Sequence, residues 1–157
     1  MYDTILVATD GSDPSEAAVD RALDLAKQYG ATLHVLSVVD TRVYTDVDVR
    51  TEPVFDALDE RAREIVAPVA ETASAADVPV VTDVVHGSPA SGIVDYATEH
   101  DVDVIVVGTH GRRGVRRMLL GSVAERVVRN SPIPVLTVRG GNEDESEGRS
   151  DDTSRVR

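Results

Sequence analysis

The chain has 157 residues and a formal charge of −12, with 28 acids against 16 lysines and arginines, a balance that excludes general nucleic-acid binding, which needs a basic face to release phosphate counterions. Hydrophobic residues make up 41% but aromatic ones only 3%, so the core must be built from Val, Ile, Leu and Ala. Cysteine is absent, which rules out disulfides and thiolate metal sites.

The acids are spread along the chain, since residues 140–157 hold only six of them beside three arginines. Lys27 is the single lysine. An acidic, lysine-poor surface suits a salt-adapted organism, whose cytosol favours well-hydrated carboxylates; the plainer alternative is an ordinary acidic cytosolic protein. No apolar run approaches the roughly 20 residues that span a bilayer, and the first residues lead straight into a strand pattern without a secretory leader. The expectation is a soluble, cytoplasmic protein that does not associate with membranes.

Apolar runs and helical repeats alternate along the chain. Thr4–Thr9 (TILVAT) predicts a buried strand. Asp13-Pro14-Ser15-Glu16 predicts a helix start with Asp13 as cap, and Gly30 is placed to end that helix. Thr32–Val39 predicts a second strand, and residues 40–52 a loop without a clean period. A long helix is expected from about Pro53 to Ala76, kinked or broken at Pro68. Val80–Val85 predicts a third strand, Ser88-Pro89 a helix start and Val102–Val107 a fourth strand. Ser122–Asn130 predicts the last helix and Pro134–Arg139 the fifth strand. The division expected is one domain over residues 1–139 and a disordered acidic tail over 140–157. Strands alternating with helices predict an α/β fold with a parallel sheet covered on both faces, whose ligands bind beyond the carboxyl ends of the strands.

The segment after the fourth strand carries the chemistry. Gly108, Gly111 and Gly121-Ser122 follow the spacing G-x2-G-x9-G-S. Missing Cβ atoms let a loop bring backbone N–H groups close to phosphates. Ser122 with Glu125 three residues later reads as a capping box, which would start a helix there and turn its electropositive end to the loop. Arg112, Arg113, Arg116 and Arg117 add positive charge in an otherwise negative field. A P-loop is excluded because no lysine is near, and a dinucleotide fingerprint because the first turn reads TDGSDPSE.

With its ILVATDGS opening, the HGSPASGIVDYATEHDVDVIVVGTHG segment, the glycine spacing and the closing SPIPVLTVR, the sequence resembles the universal stress protein family, in its nucleotide-binding branch, over residues 2 to 139. The resemblance implies a Rossmann-like five-stranded sheet of order 3-2-1-4-5 and a homodimer through the edge strand, here Val135–Val138. It implies that Asp10 and Val38 hold ribose and adenine of ATP, and that Gly108, Gly111, Gly121, Ser122 and Val123 hold ribose and phosphates. Ala8 stands in the same pocket, where some relatives carry proline. The function implied is that of an ATP-binding regulatory or stress-response dimer. Alternatives are a slow ATPase or autophosphorylating enzyme, and an interaction module that holds AMP or no nucleotide.

Several of these residues also admit a purely structural role. Asp10 either accepts from a ribose hydroxyl or organises the turn into the first helix. His110 either contacts phosphate or orders the loop. Arg112 and Arg113 are the nearer phosphate candidates, while Arg116 and Arg117 pair with a neighbouring chain or lie in solvent. No two histidines share a metal-ligand spacing, so Mg²⁺ is expected only through the nucleotide's phosphates.

Overall fold

A computed structural model describes residues 1–44, 52–109 and 120–140. In chain order the elements are β1 (Thr4–Ala8), α1 (Asp13–Tyr29), β2 (Thr32–Val39), a short 3-10 turn (Thr41–Tyr44), α2 (Glu52–Ala75), β3 (Val80–His86), α3 (Pro89–Glu99), β4 (Val104–Gly108), α4 (Ser122–Asn130) and β5 (Val135–Val138). All strand pairs are parallel, and the five-stranded sheet has the order β3-β2-β1-β4-β5, as expected.

Alternation along each strand divides the core in two. Ile5, Val7, Leu33, Val35, Val104 and Val106 face one side, where they pack with Ala18, Val19, Ala22, Leu23 and Ala26 of α1 and Val66 and Ala73 of α2. Leu6, Leu36, Ile105 and Val107 face the other, against Ile93, Tyr96 and Ala97 of α3 and Ala124 and Val127 of α4. A strand covered on both faces has no polar side to show, which is why these runs are continuously apolar. Each fully buried Leu, Ile or Val adds roughly 1.5–3 kcal/mol, so an aliphatic core suffices. Small alanines on α1 let that helix lie close to the sheet.

Helix ends follow the sequence at some points and depart from it at others. Gly30 closes α1 in the left-handed conformation, φ 64°, with its N–H on the Ala26 carbonyl. The cap at the start of α1 is Ser12, one residue before the expected Asp13, because the Glu16 N–H bonds the Ser12 carbonyl and makes Asp13 the first helical residue. Pro68 does not break α2, which runs through it. Glu64 and Pro68 are both exposed, so the Glu64 carbonyl that loses its donor is left on the solvent side of the helix. Residues 45–51 of the expected loop and residues 141–157 of the expected tail lie outside the described residues.

At the amino edge of the sheet the Asp103 carboxylate Oδ2 accepts from the backbone N–H groups of Asp3 at 2.7 Å and Thr4 at 2.9 Å. The amides of Thr4 and Asp3 hold this carboxyl below the usual carboxylate range. At the carboxyl edge, β4 ends against α1 with almost no clearance. A Cβ on Gly108 would lie 2.6 Å from the carbonyl oxygen of Pro14 and 3.1 Å from the Ser15 nitrogen. Both are backbone atoms of a packed helix and have little freedom to move aside. Gly108→Ala is therefore expected to destabilise the fold by roughly 1–3 kcal/mol, as overpacked sites do, and to lower Tm by several degrees in thermal unfolding followed by circular dichroism. An unchanged Tm would mean that α1 can shift at no cost.

Candidate functional site

The strand order reverses on either side of β1, so the switch point of the sheet is the crevice between the carboxyl ends of β1 and β4. Thr9 and Gly108 lie there, each two residues beyond the paired Val7 and Val106. Thr9 N–H bonds the Leu36 carbonyl at 2.9 Å and Thr109 N–H the Val138 carbonyl at 2.9 Å, so the ladder continues just past both strands.

A chain of hydroxyls fixes the turn from β1 into α1. Gly11 N–H donates to Thr9 Oγ1 at 3.2 Å, and Ser15 Oγ donates to the Ser12 carbonyl at 2.8 Å. The 3.0 Å contact between Thr9 Oγ1 and Ser15 Oγ then has Thr9 as donor, since the Ser15 proton is already used. Both side chains are buried, and the sequence reading did not single out either; a hydroxyl at the end of an apolar run was the signal for Thr9. Asp10 is exposed, and its Oδ1 accepts from the Ser12 N–H at 3.0 Å. The turn-organising role of Asp10 is thus realised, and it leaves the carboxylate at the rim of the crevice. The enclosed Oγ of Ser12 has no hydrogen-bond partner among the described residues.

The opposite wall begins at Gly121, whose N–H bonds the Thr109 carbonyl. This bond brings the end of β4 against the start of α4. It also corrects the expected capping box. The cap is Gly121, with φ −70° and ψ 164°, and Ser122 is the first helical residue; among the described residues no side-chain hydrogen bond caps the helix. Glu125 N–H bonds the Gly121 carbonyl at 2.9 Å, and the Glu125 carboxylate reaches forward to Arg129 rather than back to the cap. The first turn of α4 therefore carries the electropositive end of a helix with, among the described residues, no side-chain oxygen on its amides. Ser122 and Val123 are exposed on that turn.

Ala8, Asp10, Val38, Gly108, Gly121, Ser122 and Val123 all lie at the carboxyl edge of the sheet or on the turns leaving it. His110, Gly111 and Arg112 lie outside the described residues, as do Arg113, Arg116 and Arg117. Gly92 of α3 lies over Val38 and its register partner Val85 of β3; a Cβ on Gly92 would be 3.2 Å from Val38 Cγ1 and 3.4 Å from Val85 Cγ2. Beside Val38 at the end of β2, Asp40 takes hydrogen bonds from Arg42 Nε at 3.0 Å and Nη2 at 2.9 Å, which hold its carboxyl below the usual range. At the end of β3, His86 Nε2 donates to the Asp59 carboxylate and ties the edge strand to α2. Among the described residues no cluster of three or more His, Cys, Asp or Glu side chains is arranged to hold a metal ion.

The model of the universal stress protein family matches residues 1–139. The universal stress protein MJ0531 of Methanocaldococcus jannaschii is 37% identical over 141 residues, covering 88% of this chain and 83% of that protein. Among solved structures, the protein MJ0577 superposes with a TM-score of 0.83 at 30% identity, covering 90% of this chain and 99% of that one. A universal stress protein solved in complex with cAMP gives a TM-score of 0.65 at 31% identity, over 89% of this chain and 98% of that one. With the parallel sheet, its strand order and the match over nearly all the described residues, the chain belongs to the universal stress protein family.

Proposed function

We propose that this protein is a cytoplasmic, nucleotide-dependent regulatory dimer that binds ATP in the crevice between β1 and β4. The observation that carries this reading is the glycine cap of α4. Among the described residues no side-chain oxygen sits on the amides of this helix start, and the Gly121–Thr109 bond ties that start to the end of β4. Such a start is an anion site, and the donor set fits a phosphate chain. Asp10 and the backbone near Val38 would hold ribose and adenine. Gly108, Gly121, Ser122 and Val123 would hold ribose and phosphates, joined by Gly111, His110 and Arg112, with Ala8 as part of the pocket floor. Mg²⁺ would arrive bound through the phosphates. The relative in complex with cAMP, at 31% identity, supports an adenine nucleotide as the guest. ATP bound at the β4–α4 junction would change what the dimer presents to partners.

Two substitutions separate the anion site from the helix. Gly121→Ser adds a cap oxygen that competes for the first-turn amides, so it should stabilise α4 by a few tenths of a kcal/mol and weaken ATP binding about tenfold. Ser122→Ala removes no cap, and should leave stability within about 0.5 kcal/mol while still lowering affinity. Isothermal titration with ATP, alongside mass spectrometry of nucleotide released from freshly purified protein, measures both. Equal ATP affinity in wild type and Gly121→Ser would remove the α4 amides from the site.

The dimer reading rests on β5, which among the described residues pairs only with β4 and carries Leu136 at 36% exposure. A second β5 along that edge would satisfy its outward amides and carbonyls. Leu136→Asp should then shift the sedimentation coefficient from dimer to monomer, whereas a wild-type monomer at micromolar concentration would end the proposal.

The acidic, lysine-poor surface is read as an adaptation to concentrated salt. With a net charge of −12, self-repulsion should be screened by KCl, so Tm should rise between about 0.1 M and 2 M salt. A Tm that falls over that range would reject the reading.

A further inference from the structure

The amino edge of the sheet, opposite the candidate site, holds a feature the nucleotide reading does not use. The chain has only four histidines, four tyrosines and one phenylalanine, yet two of those histidines and one tyrosine gather at a single point. Tyr96 of α3 is 4% exposed, within the core cluster that α3 shares with the sheet. Its hydroxyl lies 2.9 Å from Nδ1 of His34, a half-buried residue of β2. Its ring is stacked on His100, which caps the end of α3, at 3.9 Å between centroids and 18° between planes. The His34 and His100 rings are 5.6 Å apart.

We propose that His34, Tyr96 and His100 form a proton-sensitive latch, which holds the C-terminal turn of α3 on β2 at neutral pH and loosens it on acidification. His100 Nδ1 lies 2.9 Å from the Tyr96 carbonyl, so that nitrogen is the donor. Neutral His34 can accept the Tyr96 hydroxyl at Nδ1. Once protonated it must donate there, and the hydroxyl proton has to turn away into the core. A charged His34 also faces His100 across a partly desolvated gap.

The groups facing His34 come from three elements. Strand β1 presents only Leu6, β3 presents Val81 and Asp83, and α3 with its cap presents Tyr96 and His100. Burial first, then the neighbouring His100, hold His34 below the usual histidine range, while Asp83 opposes them with a smaller pull. His100 and Asp83 are exposed, which gives protons a path to the cluster.

The sign follows from linkage. A histidine whose value is depressed when α3 is docked takes up its proton more readily when α3 is released. Docking is then strongest above the free value near 6.5 and weakens as pH falls through it towards the docked value, by up to about tenfold in the opening equilibrium per pH unit. Helix α3 also carries Gly92 against Val38, so the latch and the carboxyl edge of the sheet share one element.

Hydrogen exchange between pH 7.5 and 5.5, corrected for the intrinsic pH dependence of exchange, reads this opening residue by residue. Amides of residues 97–102 are expected to open more often at the lower pH, by up to about tenfold per unit, while those of α1 do not. His34→Gln keeps a neutral hydrogen-bonding side chain and should flatten that dependence; His86→Gln, away from the cluster, should leave it intact. A flat wild-type profile, or a slope unchanged in His34→Gln, overturns the latch. Should His34→Gln fail to fold, titration of the wild-type imidazole signals by NMR decides: a His34 midpoint below the ordinary histidine value supports the proposal, and one at or above it overturns it.

Discussion

The close approach of β4 to the first turn of α1, made where Gly108 has no side chain, sets the geometry of the whole carboxyl edge. A Cβ there would meet the Pro14 carbonyl at 2.6 Å, and Gly140, just beyond β5, lies against the same proline with a Cβ 3.3 Å from Pro14 Cα. The N-terminal turn of α1 is thus covered by the protein's own backbone. Neither cap residue, Ser12 of α1 nor Gly121 of α4, places a side-chain oxygen on its helix's amides, and α4 is the one that starts from a glycine. Two helices begin beside one crevice, and β4 packs against the first turn of only one of them, α1, among the described residues. Gly108 has a structural duty here besides any duty towards a ligand, and the first would constrain the residue even if the second did not exist.

Rigidity at the crevice comes from hydrogen bonds that run through short polar side chains. Gly11, Thr9, Ser15 and the Ser12 carbonyl form one directed chain, in which each proton is used once. Buried hydroxyls are costly when unpaired, so a complete chain fixes the turn more firmly than apolar packing alone could. Asp10 is held by the same turn through the Ser12 amide, which presents its carboxylate in a defined place. Holding the turn and facing a ligand are compatible because a carboxylate has two oxygens and several lone pairs.

The two faces of the sheet serve different ends. Helices α1 and α2 bury an uninterrupted aliphatic layer, with Leu23 and Val66 among its members. The α3–α4 face is less uniform. It holds Tyr96 with its histidine partners at the amino edge, and Val38 pressed by Gly92 at the carboxyl edge. Polar and aromatic groups in a core are less forgiving than aliphatic ones, since each needs a partner in one geometry. Helix α3 thus contacts both edges of the sheet, through Tyr96 at one and Gly92 at the other.

Sequence alone determined the α/β class, the parallel sheet, the five strands and the ends of α1 and α3 near Gly30 and Pro89, because burial on both faces, helical period and the fixed angles of proline and glycine act over a few neighbouring residues. The family was legible for the same reason, since its motifs are local and their spacing is preserved. Tertiary structure decided the rest. It tied the Gly121 amide to the carbonyl of Thr109, twelve residues earlier, at the start of α4, whose cap is Gly121 rather than Ser122. It let α2 run through Pro68, because the carbonyl that loses its donor faces solvent. It gave Gly108 its contact with Pro14, and it joined His34 to Tyr96, 62 residues apart. Each of these depends on which groups meet across the sheet, and a linear pattern carries no record of that until the chain has folded.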